Sequence, residues 1–113
     1  MQLEMTVQGN VSRVSLEGRL DTPGVDRIET RFTASVVSPG RNALVDLSAV
    51  TFVSSMGIRM LISSARALGL KHAKMVLFGV QPLVMQTLEH ASLADMIPIA
   101  TDETQALALF EAA

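Results

Sequence analysis

The chain contains no cysteine, no tryptophan and no tyrosine, and its four aromatic residues are all phenylalanine. Without thiols there is no disulfide framework, no thiolate zinc site and no cysteine nucleophile, and the composition is compatible with a reducing compartment. Charge is also scarce: 18 % of residues are charged and the formal net charge is -2. That balance carries no electrostatic footprint for nucleic acid and no polybasic membrane patch. No apolar run approaches the ~20 residues needed to cross a bilayer. The longest candidate, around residues 56–70, is interrupted by Arg59 and Arg66. The start, MQLEMTVQGN, is polar and acidic and lacks the charged-then-apolar build of a signal peptide. Neither a Gly-x-Gly-x-x-Gly loop nor a Walker lysine loop occurs. Histidines or carboxylates clustered for metal are also missing, so no cofactor and no metal are expected. These absences leave a cytoplasmic domain spanning residues 1–113, with neither nucleic acid nor membrane as partner.

What is present is apolar and periodic. Hydrophobic residues make up 49 % of the chain, and seven Met supply adaptable filler for an aliphatic core. Leu3, Met5 and Val7 alternate with polar residues, Gly9-Asn10 marks a turn, and Val14 and Leu16 alternate again, with Val11 out of phase. This pattern predicts a β-hairpin. Asp21 or Thr22 ahead of Pro23 predicts a helix start, with Val25, Ile28, Phe32 and Val36 as the buried stripe of a helix over 23–37. The run ALVDL (43–47) is almost continuously apolar, as expected of a strand buried on both faces and flanked by a parallel neighbour. A second helix starts near Ser54 or Ser55 and ends around Gly69, its inward stripe being Ile58, Leu61, Ile62, Ala65 and Leu68. KMVLFGV (74–80) predicts the next central strand, 81–90 a helix opened by Pro82, and MIPIA (96–100) a short last strand. A closing helix is capped by Thr101 or Asp102, with Ala106, Leu107 and Phe110 facing inward. The order β-β-α-β-α-β-α-β-α means an α/β domain with a mixed, mostly parallel sheet that begins with a hairpin.

Chemistry concentrates at VSSMG (53–57), where a strand pattern turns into a helix. A serine there invites a hydrolytic nucleophile. A nucleophile elbow needs glycine on both sides, however, and Val53 stands at the first glycine position. His72 and His90, the available bases, have no carboxylate partner in a supporting arrangement. They read as a solvated loop histidine and a partner of a helix C-terminus. One serine of the pair is explained as an N-cap, which accepts a bond from an otherwise orphaned helix amide. The first turn that follows, Met56 to Arg59, contains no acid, so the positive end of the helix dipole is left open to an anion. Met56, Arg59, Ser63 and Arg66 recur at three- and four-residue spacing on a face away from the core. They are either a partner surface or ordinary solvated charges.

The stretch VDLSAVTFVSSMGIRMLI (45–62) resembles the signature of STAS domains, the sulfate-transporter and anti-sigma-factor-antagonist family. The match is carried by Asp46, Leu47, Ser48, Val50, Phe52, Ser55 and Gly57. A second family element, Gly-x-Leu-Asp, is matched by Gly18, Leu20 and Asp21. The resemblance covers essentially the whole chain and implies the STAS fold. It also implies a bacterial partner switch acting by binding rather than catalysis. An unphosphorylated anti-sigma factor antagonist binds an anti-sigma factor that is a GHKL-type serine kinase and so frees the sigma factor. Phosphorylation ends the binding, and a PPM-type phosphatase reverses it. Carried over by position, Ser55 is the phosphoacceptor, with Ser54 the alternative. Asp21, Ser54, Met56, Gly57, Arg59, Ser63 and Arg66 form the partner contact; Gly18, Asp46 and Ser48 support the motif. Asp21 and Asp46 are expected near Ser55 at strand ends. Ser54 stands where the family usually has Asp, and Met56 where it has Ser or Thr. The alternative function is a STAS scaffold or adaptor subunit, in a signalosome or lipid-trafficking complex, without a phosphorylation cycle.

Overall fold

The computed structural model describes residues 1–111. The hairpin forms as β1 (Gln2–Gln8) and β2 (Val11–Leu20), turning at Gly9, whose φ of 60° is the left-handed conformation this tight connection needs. Then follow α1 (Thr22–Val36), β3 (Asn42–Val53), α2 (Ser55–Gly69), β4 (Met75–Phe78), α3 (Pro82–His90), β5 (Ile99–Ala100) and α4 (Glu103–Glu111). The sheet runs in sequence order, β1-β2-β3-β4-β5, antiparallel at the hairpin and parallel thereafter. Each parallel strand is added on the same side of its predecessor. Right-handed crossovers therefore put α1, α2 and α3 on one face, where Phe32, Leu61 and Leu88 join one core with Val14, Val45 and Leu77. The chain leaves β5 and covers the other face with α4, where Ala106 packs with Leu44, Val76, Phe78 and Ala100. Alternate residues of β3 and β4 thus feed different cores, which is why those strands read as continuously apolar.

Three expectations need correction. β3 reaches Val53 rather than stopping at Leu47, because two register shifts against β2 carry the pairing on through a stretch whose hydrophobic alternation is reset. The predicted strand over 96–100 shrinks to Ile99–Ala100, and Leu93–Asp95 forms a 3-10 turn that the periodicity does not reveal. Pro98, which has no amide to donate, limits the pairing. The buried face of α2 is Gly57, Met60, Leu61, Ser64 and Leu68, with Ile58, Ile62 and Ala65 half-buried at its flanks. The helix is rolled toward its small residues because glycine and Ser64 allow it to approach closely. In α4 the expectation holds: Ala106 is buried, and Leu107 and Phe110 are half-buried and packed against the second core.

Candidate partner-docking site

The last residues of β2 and β3 pair as Leu20 with Val53, which brings the starts of α1 and α2 together at one end of the sheet. Leu20 joins them. Its carbonyl accepts from the Ser54 amide at 2.9 Å and from the Ser54 hydroxyl at 3.1 Å. Ser54 is also the N-cap of α2, its Oγ accepting from the Gly57 amide at 3.3 Å. An Asp at this position could fill the cap but could not donate to Leu20. Gly57 is pressed against the same residue: a Cβ there would lie 2.8 Å from both the Leu20 carbonyl oxygen and Leu20 Cγ. Glycine at 57 is therefore a requirement of close approach.

Ser55, the first residue of α2, is exposed, and its hydroxyl has no partner among the described residues. The first backbone bond inside the helix runs from the Ile58 amide to the Ser54 carbonyl. The amides of Ser55 and Met56 consequently lack an acceptor within the helix. No acid stands in the first turn. Met56 is 36 % exposed. Arg59, Ser63 and Arg66 are exposed along the same face of α2, and neither arginine has an ion-pair partner among the described residues.

Asp21 caps α1 from the adjoining position, accepting from the Gly24 amide at 2.9 Å, with the Arg19 Nε 3.4 Å from its other oxygen. The Gly24 amide bond, and then the Arg19 guanidinium, hold the Asp21 carboxyl below the usual carboxylate range. Arg19 also lies over the Phe52 ring, 4.4 Å from its centroid, and Phe52 is 38 % exposed. This cation-π pair adjoins Asp21 at the end of β2 and escapes sequence inspection. Arg19 and Phe52 are 33 positions apart, and they become neighbours only through the shifted β2–β3 register.

Asp46 is elsewhere. It lies within β3, not at its end, opposite Ser15 and Phe78. One carboxylate oxygen accepts from Arg13 Nη2 at 3.3 Å and the other from the Ser48 amide at 2.9 Å. Arg13 also donates to Glu103 of α4 at 2.8 Å and lies against Phe78, so this cluster fastens α4 to the sheet. Ser48 closes the same corner, its carbonyl accepting from Gln81 at 2.9 Å. Gly18 has φ 114° between the two register shifts of β2 and pairs with Val50 of β3. His72 and His90 are exposed and make no hydrogen bond to Ser55. Among the described residues no three His, Cys, Asp or Glu are grouped to hold a metal. Among the described residues no helix is long and apolar enough to cross a membrane.

The sequence matches the STAS domain model over residues 2–106. It is 25 % identical over 113 residues to the candidate anti-sigma factor antagonist BtrV of Bordetella bronchiseptica, covering 100 % of this chain and 97 % of that protein. The fold superposes on an anti-sigma factor antagonist from Mycobacterium paratuberculosis with a TM-score of 0.87, at 22 % identity over 98 % of this chain and 94 % of that one. It also matches the Bacillus cell fate determinant SpoIIAA in its phosphorylated form, with a TM-score of 0.68 and 17 % identity over 96 % of this chain and 99 % of that one. A helix start tied to the neighbouring strand, with an unclaimed serine beside its cap, is thus found on a chain that belongs to the STAS domain family.

Proposed function

We propose that the protein is an anti-sigma factor antagonist that works by binding and not by catalysis, and that phosphorylation of Ser55 ends the binding. The partner in this reading is an anti-sigma factor with a GHKL-type serine kinase fold, and a PPM-type phosphatase resets the switch in the cytoplasm. The observation that supports the reading is the division of roles between two adjacent serines. Ser54 is held by three hydrogen bonds to Leu20 and Gly57, so modifying it would dismantle the turn. Ser55 is exposed, and its side chain makes none among the described residues.

A phosphoryl group there would add roughly -1.5 to -2 of charge at a helix start suited to anions. It would change the surface without unfolding the domain. Met56, Arg59, Ser63 and Arg66 on α2, with Asp21, Arg19 and Phe52 beside them, form the docking face of this reading. A dianion buried unpaired under a partner opposes binding strongly, and a loss of about 3 kcal/mol corresponds to roughly 150-fold in affinity.

The test is to incubate the protein with ATP and each GHKL kinase of its genome, then map phosphate by mass spectrometry. Phosphate on Ser55, together with lost partner binding by Ser55→Asp, is the expected result. Absence of modification by every kinase, with partner binding indifferent to Ser55→Asp, would overturn the switch and assign the chain to a constitutive scaffold or adaptor.

A further inference from the structure

The charges of this chain are segregated. All nine Lys and Arg lie within residues 1–74, whereas residues 75–111 contain Glu89, Asp95, Asp102, Glu103 and Glu111 and no Lys or Arg. In the fold the second segment is β4, α3, the 3-10 turn, β5 and α4, which build the β5 side of the sheet and the helices packed on it. Two of its acids have structural work. Asp102 accepts from the Gln105 amide at the start of α4, and Glu103 is paired with Arg13. Glu89 and Asp95 have no ion-pair partner among the described residues.

Glu89 and Asp95 stand on the rim of an open cleft of about 410 Å³ between α3, the 3-10 turn and β5. Its walls include Met85, Leu88 and Ile99. Ser92, at the entry to the 3-10 turn, also lines it and is held at φ 53°, a left-handed conformation uncommon for a residue with a Cβ. Met96, which follows Asp95, is 46 % exposed. β5 is the last strand of the sheet and pairs only with β4, so the edge beside Ile99 is open.

We infer that this cleft is a second docking site, separate from the α2 face, and that its occupant is an extended basic segment of a partner protein. Each feature of the cleft matches one feature of such a segment. The apolar wall of Met85, Leu88 and Ile99 takes alternate aliphatic side chains. Glu89 and Asp95 face the intervening Lys or Arg. The free edge of β5 offers backbone groups to an added strand. With two exposed carboxylates and no Lys or Arg among its lining residues, the cleft selects against acidic segments and speeds encounter with basic ones.

The probe is a fluorescein-labelled heptapeptide of alternating Val and Lys, titrated with the intact protein and followed by anisotropy. A peptide of alternating Val and Glu serves as control. The expected result is saturable one-to-one binding of the basic peptide alone, with amide NMR shifts confined to residues around Leu88, Asp95 and Ile99. Replacing the two acids together, by Glu89→Gln and Asp95→Asn, weakens it by about fivefold, as two exposed charge pairs should. Both acids are exposed, so the double variant keeps the wild-type spectrum elsewhere. Binding unchanged in the double variant, equal binding of the acidic peptide, or shifts centred on β1 and β2 would overturn the proposal. Sedimentation velocity completes the test: self-association abolished by the double variant would assign the cleft to a second copy of this chain and overturn it likewise.

Discussion

The two helix starts beside Leu20 are built on one plan and finished differently. α1 begins Asp21-Thr22-Pro23-Gly24 and α2 begins Ser54-Ser55-Met56-Gly57: a cap, two residues, then a buried glycine. In both, the cap oxygen accepts the amide of the glycine, and in both the glycine is jammed against the end of β2. At α1 the cap is a carboxylate, which complements the dipole and is itself restrained by Arg19. At α2 the cap is a neutral hydroxyl with no acid in the turn that follows. One start is electrostatically complete, and the other has room for one more negative group. Function is argued from the unfinished one.

The largest expected effect tests the shared plan. A Cβ on residue 24 would collide with the Arg19 carbonyl oxygen, an obstacle made of backbone. One on residue 57 would meet the Leu20 carbonyl oxygen and the Leu20 side chain, both at 2.8 Å. Gly24→Ala should therefore cost about 3 kcal/mol or more in urea unfolding, and Gly57→Ala somewhat less, because Leu20 Cγ can give way. Equal or negligible losses would mean that the two glycines are not wedged as described.

Next comes the neutral cap. Ser54→Ala removes the bond to the Gly57 amide and the donation to Leu20, and should cost about 1 kcal/mol. Ser54→Asp keeps the first bond and gains with the dipole. It loses the second and sets a carboxylate against the Leu20 carbonyl, so it should be no more stable than wild type. A clear gain from Ser54→Asp would show that charge complementarity, not the bond to Leu20, governs this start.

The charged cap is tested by pH. The folded-state value for Asp21 lies below its ordinary 3.8, so the carboxylate favours the folded state. That contribution is fully present above 3.8 and is lost as pH falls through the depressed folded-state value. The difference in melting temperature between wild type and Asp21→Asn should therefore be constant near neutral pH and close in strong acid. Because α2 is capped by a hydroxyl, Ser54→Ala should give a difference without that acid step.

How far the sequence discloses this arrangement depends on whether the signal is local. Cap residues are local, so both helix starts are legible to within a residue from residue type and spacing, while the division of roles between Ser54 and Ser55 comes from the family resemblance. ALVDL is legible because burial on both faces suppresses alternation. The rest of β3 is not, since its pairing depends on two register shifts that leave exposed Phe52 and buried Val53 with no simple period. The roll of α2 is hidden because Gly57 and Ser64 carry no hydrophobic signal although both are buried. The resemblance places Asp46 near Ser55 at a strand end, whereas Asp46 lies within β3, held by Arg13, which is itself bonded to Glu103 of α4; neither partner is near it in sequence. The Arg19–Phe52 stack required the same unseen register.

The smallest effect on stability carries the most weight for the comparison. Ser55 and Thr22 are the equivalent first residues of their helices and both are exposed. Replacing either hydroxyl residue with alanine should change stability by less than about 0.5 kcal/mol. Adding charge should separate them. Phosphoserine encoded at 55 meets a positive helix end with unclaimed amides and Arg59 one turn along, so the melting temperature should hold or rise, by up to about 1 kcal/mol of stabilisation. Phosphoserine encoded at 22 meets the Asp21 carboxylate, which already occupies that helix end, and the melting temperature should fall. Adding salt should shrink both shifts, since both are exposed charge effects. If the two positions respond alike, the neutral cap at Ser54 has no bearing on where this fold accepts a phosphoryl group. If they diverge, the substitution of serine for acid at 54 is what keeps the second helix start open.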